Sequence, residues 1–129
     1  MAKKVLIVDD EANIVTALDY LLSRSGYEVR AASNGDDALR QVQDFVPDLV
    51  LLDVMLPRRS GYDVCQRIRE HPEWSGIKIM ILSAKGREAE VSKGLAVGAD
   101  QYITKPFSNA ELVASIGQLL GERNAAGGT

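Results

Sequence analysis

Apolar residues gather in five short runs: "KVLIV" (4–8), "YEVRAA" (27–32), "DLVLLD" (48–53), "IKIMIL" (77–82) and "QYIT" (101–104). Each run is followed by a stretch with helical spacing. Ile14, Ala17, Leu18, Leu21 and Leu22 follow the i, i+3, i+4, i+7, i+8 rule of a one-faced helix. Leu112, Val113, Ile116, Leu119 and Leu120 repeat it near the end. Ala38, Val42 and Phe45, then Val64 and Ile68, then Val91 and Leu95, predict three shorter helices with those faces turned inward. Gly26, Gly98 and Gly121 stand where helices 1, 4 and 5 should end, and "SNAE" (108–111) has capping-box spacing for the start of helix 5. Strands that alternate with helices predict right-handed crossovers and an α/β fold, a parallel sheet covered on both faces. "VLIV", "LVLL" and "IMIL" are dense enough for central strands. "YEVRAA" and "QYIT" suit edges. A leucine-rich solenoid is the competing architecture, but the units share no repeated motif.

At 129 residues and 46% hydrophobic composition, the chain is sized for one domain. The periodicity covers 1–121, and the remainder, 122–129, reads as a flexible tail or the start of a linker. A net charge of −3 gives no basic surface for direct nucleic-acid binding. No run approaches the roughly 20 apolar residues of a membrane span. One cysteine, Cys65, excludes an internal disulfide and fits a cytoplasmic, reducing setting. Cys65 itself reads as a small buried hydrophobe, Trp74 as half-buried loop packing and His71 as a surface histidine.

In an open parallel sheet, ligands bind outside the carboxyl ends of the strands. Asp9 and Asp10 lie just past strand 1, Asp53 ends strand 3, Ser83 follows strand 4 and Lys105 follows strand 5. Taken alone, "DDE" is equally well read as the start of a helix, where acids are favoured. Complementary groups at four strand ends on one edge point instead to a site. Three carboxylates this close cannot all stay ionised without compensation. A hard dication with oxygen ligands answers that need, and Mg²⁺ keeps exchangeable waters for phosphate oxygens. Cys65 and His71 are isolated, which argues against zinc. Neither GxxxxGK[ST] nor GxGxxG occurs, so no nucleotide cradle is indicated. Without a Ser-His or Cys-His pair, the candidate nucleophile is a carboxylate, best placed centrally at Asp53.

"VLIVDDE", "DLVLLDVMLPRRSG", "ILSAKG" and "GADQYITKPF", in that order, resemble the receiver domains of bacterial two-component response regulators, from Lys3 to about Leu120. The resemblance implies a doubly wound, flavodoxin-like sheet of order 2-1-3-4-5 with five helices. It implies that Asp53 accepts a phosphoryl group from the phosphohistidine of a histidine kinase or phosphotransfer protein. Asp10, Asp53 and the Met55 carbonyl would bind Mg²⁺ (or Mn²⁺), with Asp9 acting through water. Lys105, the Ser83 hydroxyl and the Ala84 N–H would hold phosphoryl oxygens. A cis bond before Pro106 would aim Lys105, and Gly61 would be structural. Tyr102 would turn inward as Ser83 moves, switching the helix 4–strand 5–helix 5 surface toward a downstream protein effector. The competing reading of Tyr102 is an edge-strand tyrosine with a wet hydroxyl. Met55 and Lys85, two beyond the Asp and Ser, would tune the phosphorylated lifetime, with apolar Met55 hindering water.

Arg58-Arg59 departs from the family's usual small or apolar segment. It reads either as two solvated charges or as a selector of an acidic partner. The reactions implied are self-phosphorylation and self-dephosphorylation, not turnover, and the state is a monomer or a phosphorylation-dependent dimer. Two alternatives remain. The chain would be the N-terminal receiver of a longer DNA-binding transcriptional regulator, or, remotely, a haloacid-dehalogenase-like phosphohydrolase. The latter needs a second acid where Met55 stands, so a general acid is missing.

Overall fold

A computed structural model describes residues 2–57, 59–84 and 88–121, without the Glu88 side chain. The expected runs become β1 (Lys4–Val8), β2 (Glu28–Ala32), β3 (Leu49–Asp53), β4 (Lys78–Ser83) and β5 (Gln101–Thr104). Helices α1 (Ala12–Arg24), α2 (Gly35–Phe45), α3 (Gly61–Arg69), α4 (Glu88–Ala96) and α5 (Asn109–Leu119) lie between and after them. A short 3-10 turn, Pro72–Trp74, precedes β4. All pairings are parallel and the sheet order is β2-β1-β3-β4-β5, with the alternating edge strands outermost as expected.

The central runs are unbroken because successive residues enter opposite, equally buried layers. Leu6, Val8, Val50, Leu52, Ile79 and Ile81 face a layer completed by α2 and α3. Val5, Ile7, Leu49, Leu51, Met80 and Leu82 face the layer of α1 and α5. Leu52 is fully buried, and its truncation to Ala would cost roughly 2–5 kcal/mol.

Helix ends follow local chemistry. Asn34, Ser60 and Ser108 accept the N–H groups of Asp37, Asp63 and Glu111, so α2, α3 and α5 each start with a side-chain cap. Past the ends of α1, α4 and α5, Gly26, Gly98 and Gly121 have φ of 96°, 110° and 71°, in the region that favours glycine.

Two predicted faces are corrected. Ala17 is exposed, and Val15 joins Ile14, Leu18, Leu21 and Leu22 on the inner face of α1. On α4, Leu95 is 46% exposed while Gly94 is buried. The Tyr102 ring takes the space beside Gly94, so the helix presents its smallest residue to the core. Met1, Arg58, Lys85 and the tail 122–129 lie outside the described residues. Among the described residues, no helix is long and apolar enough to cross a membrane.

Candidate functional site

Three loops leave the carboxyl edge of the sheet carrying acids or bases, and parallel register brings them together. Carboxylate oxygens of Asp9, Asp10 and Asp53 all lie within 4.8 Å of one another. Asp9 and Asp53 are buried, and Asp10 is exposed. Asp53 pairs in register with Leu82, placing Ser83 one residue further along β4. Ser83 is the last residue of that strand rather than the first beyond it, because Lys105 N–H extends the ladder by donating to its carbonyl at 2.8 Å. The Ser83 side chain is buried and Ala84 is exposed.

The two buried acids are held differently. Asp9 Oδ1 accepts the Glu11 N–H at 2.9 Å, and Asp9 Oδ2 lies 3.3 Å from Lys105 Nζ. Both its oxygens are engaged by the protein. Asp53 Oδ1 accepts a long bond, 3.4 Å, from the Met55 N–H, and the Val54 N–H also bonds the carboxylate. Burial pushes the Asp53 carboxyl above the usual aspartate range; Lys105 pulls it back and Asp9 raises it further. A buried carboxylate whose charge burial disfavours, clustered with two other carboxyls, is a ready partner for a cation or an electrophile. The simple capping alternative for "DDE" fails here: Glu11 is the N-cap of α1 and its side chain makes no cap bond.

The loop after β3 closes tightly. Gly61 donates to the Val54 carbonyl at 2.9 Å, and a Cβ at position 61 would collide with the Asp53 carbonyl oxygen. The Lys105–Pro106 bond is cis. Met55 projects a side chain 60% exposed. Beside the acids, a cleft of about 320 Å³ is lined by Ala12, Val15, Thr16, Ser33 and Asp37 as well as Asp9 and Asp10.

Tyr102 is partly buried against the layer that holds Tyr62 and Ile81. Tyr62, which sequence reading did not single out, is buried and donates to Glu90 Oε2 at 2.9 Å, tying α3 to α4. Nothing in its spacing distinguishes it from a core position at the start of α3.

Arg59 is 31% exposed and is ion-paired rather than solitary. Its guanidinium bonds Asp36 at 2.8 Å and Asp63 at 2.7 Å. Its partner in the doublet, Arg58, and the lifetime candidate Lys85 lie outside the described residues. Burial pushes the Cys65 thiol up to about 11, which suits an inert core residue. Trp74 is partly buried and stacks on exposed His71, with centroids 4.3 Å apart, as expected of loop packing.

The profile of the response regulator receiver domain matches residues 5–117. The alkaline phosphatase synthesis transcriptional regulatory protein PhoP of Bacillus subtilis (strain 168) is 47% identical over 120 residues, 93% of this chain and 49% of that protein. The phosphate regulon transcriptional regulatory protein PhoB of Rhizobium meliloti (strain 1021) is 42% identical over 120 residues, 93% of this chain and 53% of that protein. The chain thus spans about half the length of these curated relatives. Among solved structures, the BeF3-activated DrrB receiver domain is 33% identical, with a TM-score of 0.85 over 95% of this chain and all of that one. The BeF3-activated N-terminal receiver domain of Klebsiella pneumoniae RstA is 30% identical, with a TM-score of 0.86 over 92% of this chain and 98% of that one.

Proposed function

The chain belongs to the response regulator receiver domain family, and from that premise we propose that Asp53 is its phosphoacceptor. A carboxylate oxygen of Asp53 attacks the phosphorus of a phosphohistidine on a histidine kinase or phosphotransfer protein. The P–N bond breaks, the imidazole leaves with its electron pair and takes up a proton, and an acyl phosphate remains on Asp53. The donor set fits a hard dication: Asp10, Asp53 and the Met55 carbonyl would hold Mg²⁺, or Mn²⁺ in its place. Asp9 would act through water, since both its oxygens already have partners. Bound there, the ion supplies positive charge against the carboxylates and the phosphoryl oxygens.

Lys105 exchanges its contact with Asp9 for a phosphoryl oxygen. The Ser83 hydroxyl and Ala84 N–H donate to the others. Ser83 then shifts, Tyr102 seats more deeply, and the surface of α4, β5 and α5 changes its affinity for a protein effector. As a signalling module, the domain is itself the substrate and is altered once per event. Met55 shields the acyl phosphate from water. The setting is cytoplasmic, and the domain works as a monomer or as a dimer formed on phosphorylation.

The observation that carries this reading is the convergence of three carboxylates within 4.8 Å, with Asp53 buried at the end of β3. Incubation with a small-molecule phosphodonor and Mg²⁺, read by intact mass, tests it. Wild type should gain one hydroxylamine-labile phosphoryl group and Asp53→Ala none. An acid-stable adduct, or one retained in the alanine variant, would refute the assignment.

A second reading has its own support. Relatives named as transcriptional regulatory proteins are about twice as long as the matched segment, so this domain would serve as the receiver of a longer DNA-binding regulator. A reading frame that continues past residue 129 into a basic DNA-binding unit would establish it.

A further inference from the structure

We infer that Arg59 is a positioning residue for the cation site, an inference that rests on the proposed reading of Asp10, Asp53 and the Met55 carbonyl. The loop from Val54 to Ser60 carries that carbonyl, and the Met55 side chain at that point is exposed. Among the loop's described residues, two backbone bonds fold it, Gly61 N–H to Val54 O at 2.9 Å and Arg59 N–H to Pro57 O at 2.8 Å. Val54 and Leu56 pack its start on the core and Ser60 caps α3 at its end, and Arg59 is the described side chain that carries it across to α2. Nε reaches Asp36 in the first turn of α2, and Nη1 reaches Asp63 in the first turn of α3. The two helices begin on the same edge as the acids, and the segment leading into α2 lines the acid cleft through Ser33.

Space is reserved for this crossing. Position 35 is glycine, and a Cβ there would come within 2.5 Å of Arg59 Cβ and 3.1 Å of Val64 Cγ2. Chain packing and two carboxylates, 23 and 4 residues away in sequence, therefore fix one arginine. An ordinary surface ion pair needs no such accommodation. Forked geometry makes arginine, rather than lysine, able to hold both acids at once. With the loop tethered, the Met55 carbonyl is held in place before a cation arrives, and the ordering cost of binding falls.

Charge and position predict opposite signs. Arg59 is a cation near an acidic cluster, so deleting it removes repulsion and leaves Asp36 and Asp63 as extra negative charge. Electrostatics alone would tighten Mg²⁺ binding in Arg59→Ala. Loss of a positioning tether would weaken it, by about tenfold, the low end for outer supports of a metal ligand.

Titration calorimetry with MgCl2 on the unphosphorylated chain decides between them. Arg59→Ala and Arg59→Gln should each bind Mg²⁺ about tenfold more weakly, and Arg59→Lys should recover only part. Phosphorylation by a small-molecule donor should be slowed at low Mg²⁺ and restored at saturating Mg²⁺. Urea midpoints measured alongside should place all three variants fully folded under the titration conditions. Affinity equal to or tighter than wild type in Arg59→Ala and Arg59→Gln would overturn the inference. Absence of Mg²⁺ binding in wild type, matching an Asp10→Asn control, would overturn the underlying site reading as well, and is told apart by occurring before any change at Arg59.

Discussion

Lys105 Nζ lies 3.3 Å from Asp9 Oδ2, a contact between side chains 96 residues apart in sequence and both mostly buried. The ammonium contacts one buried carboxylate of the cluster and also offsets part of the burial penalty on Asp53. Removing it leaves Asp9 buried with a single N–H donor. Lys105→Ala should therefore lower metal-free stability by about 1–3 kcal/mol, read by urea unfolding in EDTA. The same change in an Asp9→Asn background should cost at least about 0.5 kcal/mol less, since the two side chains share one interaction. Mg²⁺ affinity should rise in Lys105→Ala, because a competing cation is gone, even as phosphoryl acceptance falls. Additive effects in the cycle would show that the contact carries no coupling.

The Asp53 carboxyl gives a pH dependence with a defined direction. Burial raises its folded pKa above the ordinary 3.8, so the folded state holds its proton more tightly than the unfolded chain. That contribution to stability is complete below the ordinary value and is lost as pH rises through the raised one. Asp53→Asn lacks it. Between about pH 4 and neutrality in EDTA, wild type should lose stability relative to Asp53→Asn, and Mg²⁺ should reverse the difference. Parallel urea midpoints for the two proteins across that range would contradict the role assigned to burial.

Strand positions were legible because both faces of this sheet are buried, which turns β1, β3 and β4 into apolar runs with the chemistry placed at their tips. The site acids were readable for the same reason: once Val8, Leu52 and Leu82 are inside, the next polar residues must emerge on one edge. Helix α4 was less legible. Leu95 carries the stronger hydrophobic signal, yet Gly94 is the buried residue, since a ring from β5 fills the space that a side chain would need. Hydrophobic spacing has no term for a glycine chosen to admit a neighbour. The Arg59 bonds to Asp36 and Asp63 were equally hidden. "RR" before a helix looks solvated until folding brings the start of α2 beside it.

Gly94 makes the Tyr102 assignment testable. A Cβ at position 94 would lie 2.8 Å from Tyr102 Cδ2 and 3.0 Å from Ile81 Cδ1. The ring makes the closer contact from an edge strand, whereas Ile81 is fully buried, so the ring yields first. Gly94→Ala should push Tyr102 outward, at a cost of about 1–3 kcal/mol for overpacking. Accessibility of Tyr102 to a tyrosine-selective reagent should rise, and phosphorylation should no longer bury it. If the reagent labels Tyr102 equally in both proteins before and after phosphorylation, the inward seat is not part of a switch.

The last prediction concerns the tie between α3 and α4. Tyr62 donates to Glu90 Oε2 at 2.9 Å and lies 3.3 Å from the Glu90 carbonyl, while Lys93 Nζ sits 4.7 Å above its ring. Burial, the Glu90 carboxylate and a side-chain bond with Tyr102 push the phenol above its ordinary range, so it stays protonated throughout physiological pH. Tyr62→Phe preserves the buried ring and the cation above it and deletes only the hydroxyl. Global stability should fall by about 1 kcal/mol. Local opening should change more: amides of Val91 to Ala96 should exchange faster, while those of β3 follow only the global change. Because α4 belongs to the surface proposed to switch, its loosening should also raise effector affinity in the unphosphorylated state and shrink the gain on phosphorylation. Hydrogen exchange by mass spectrometry separates the outcomes. Uniform acceleration across α4 and β3 would make the hydroxyl a general stabiliser, whereas selective acceleration of α4 would identify it as the hold on the output surface.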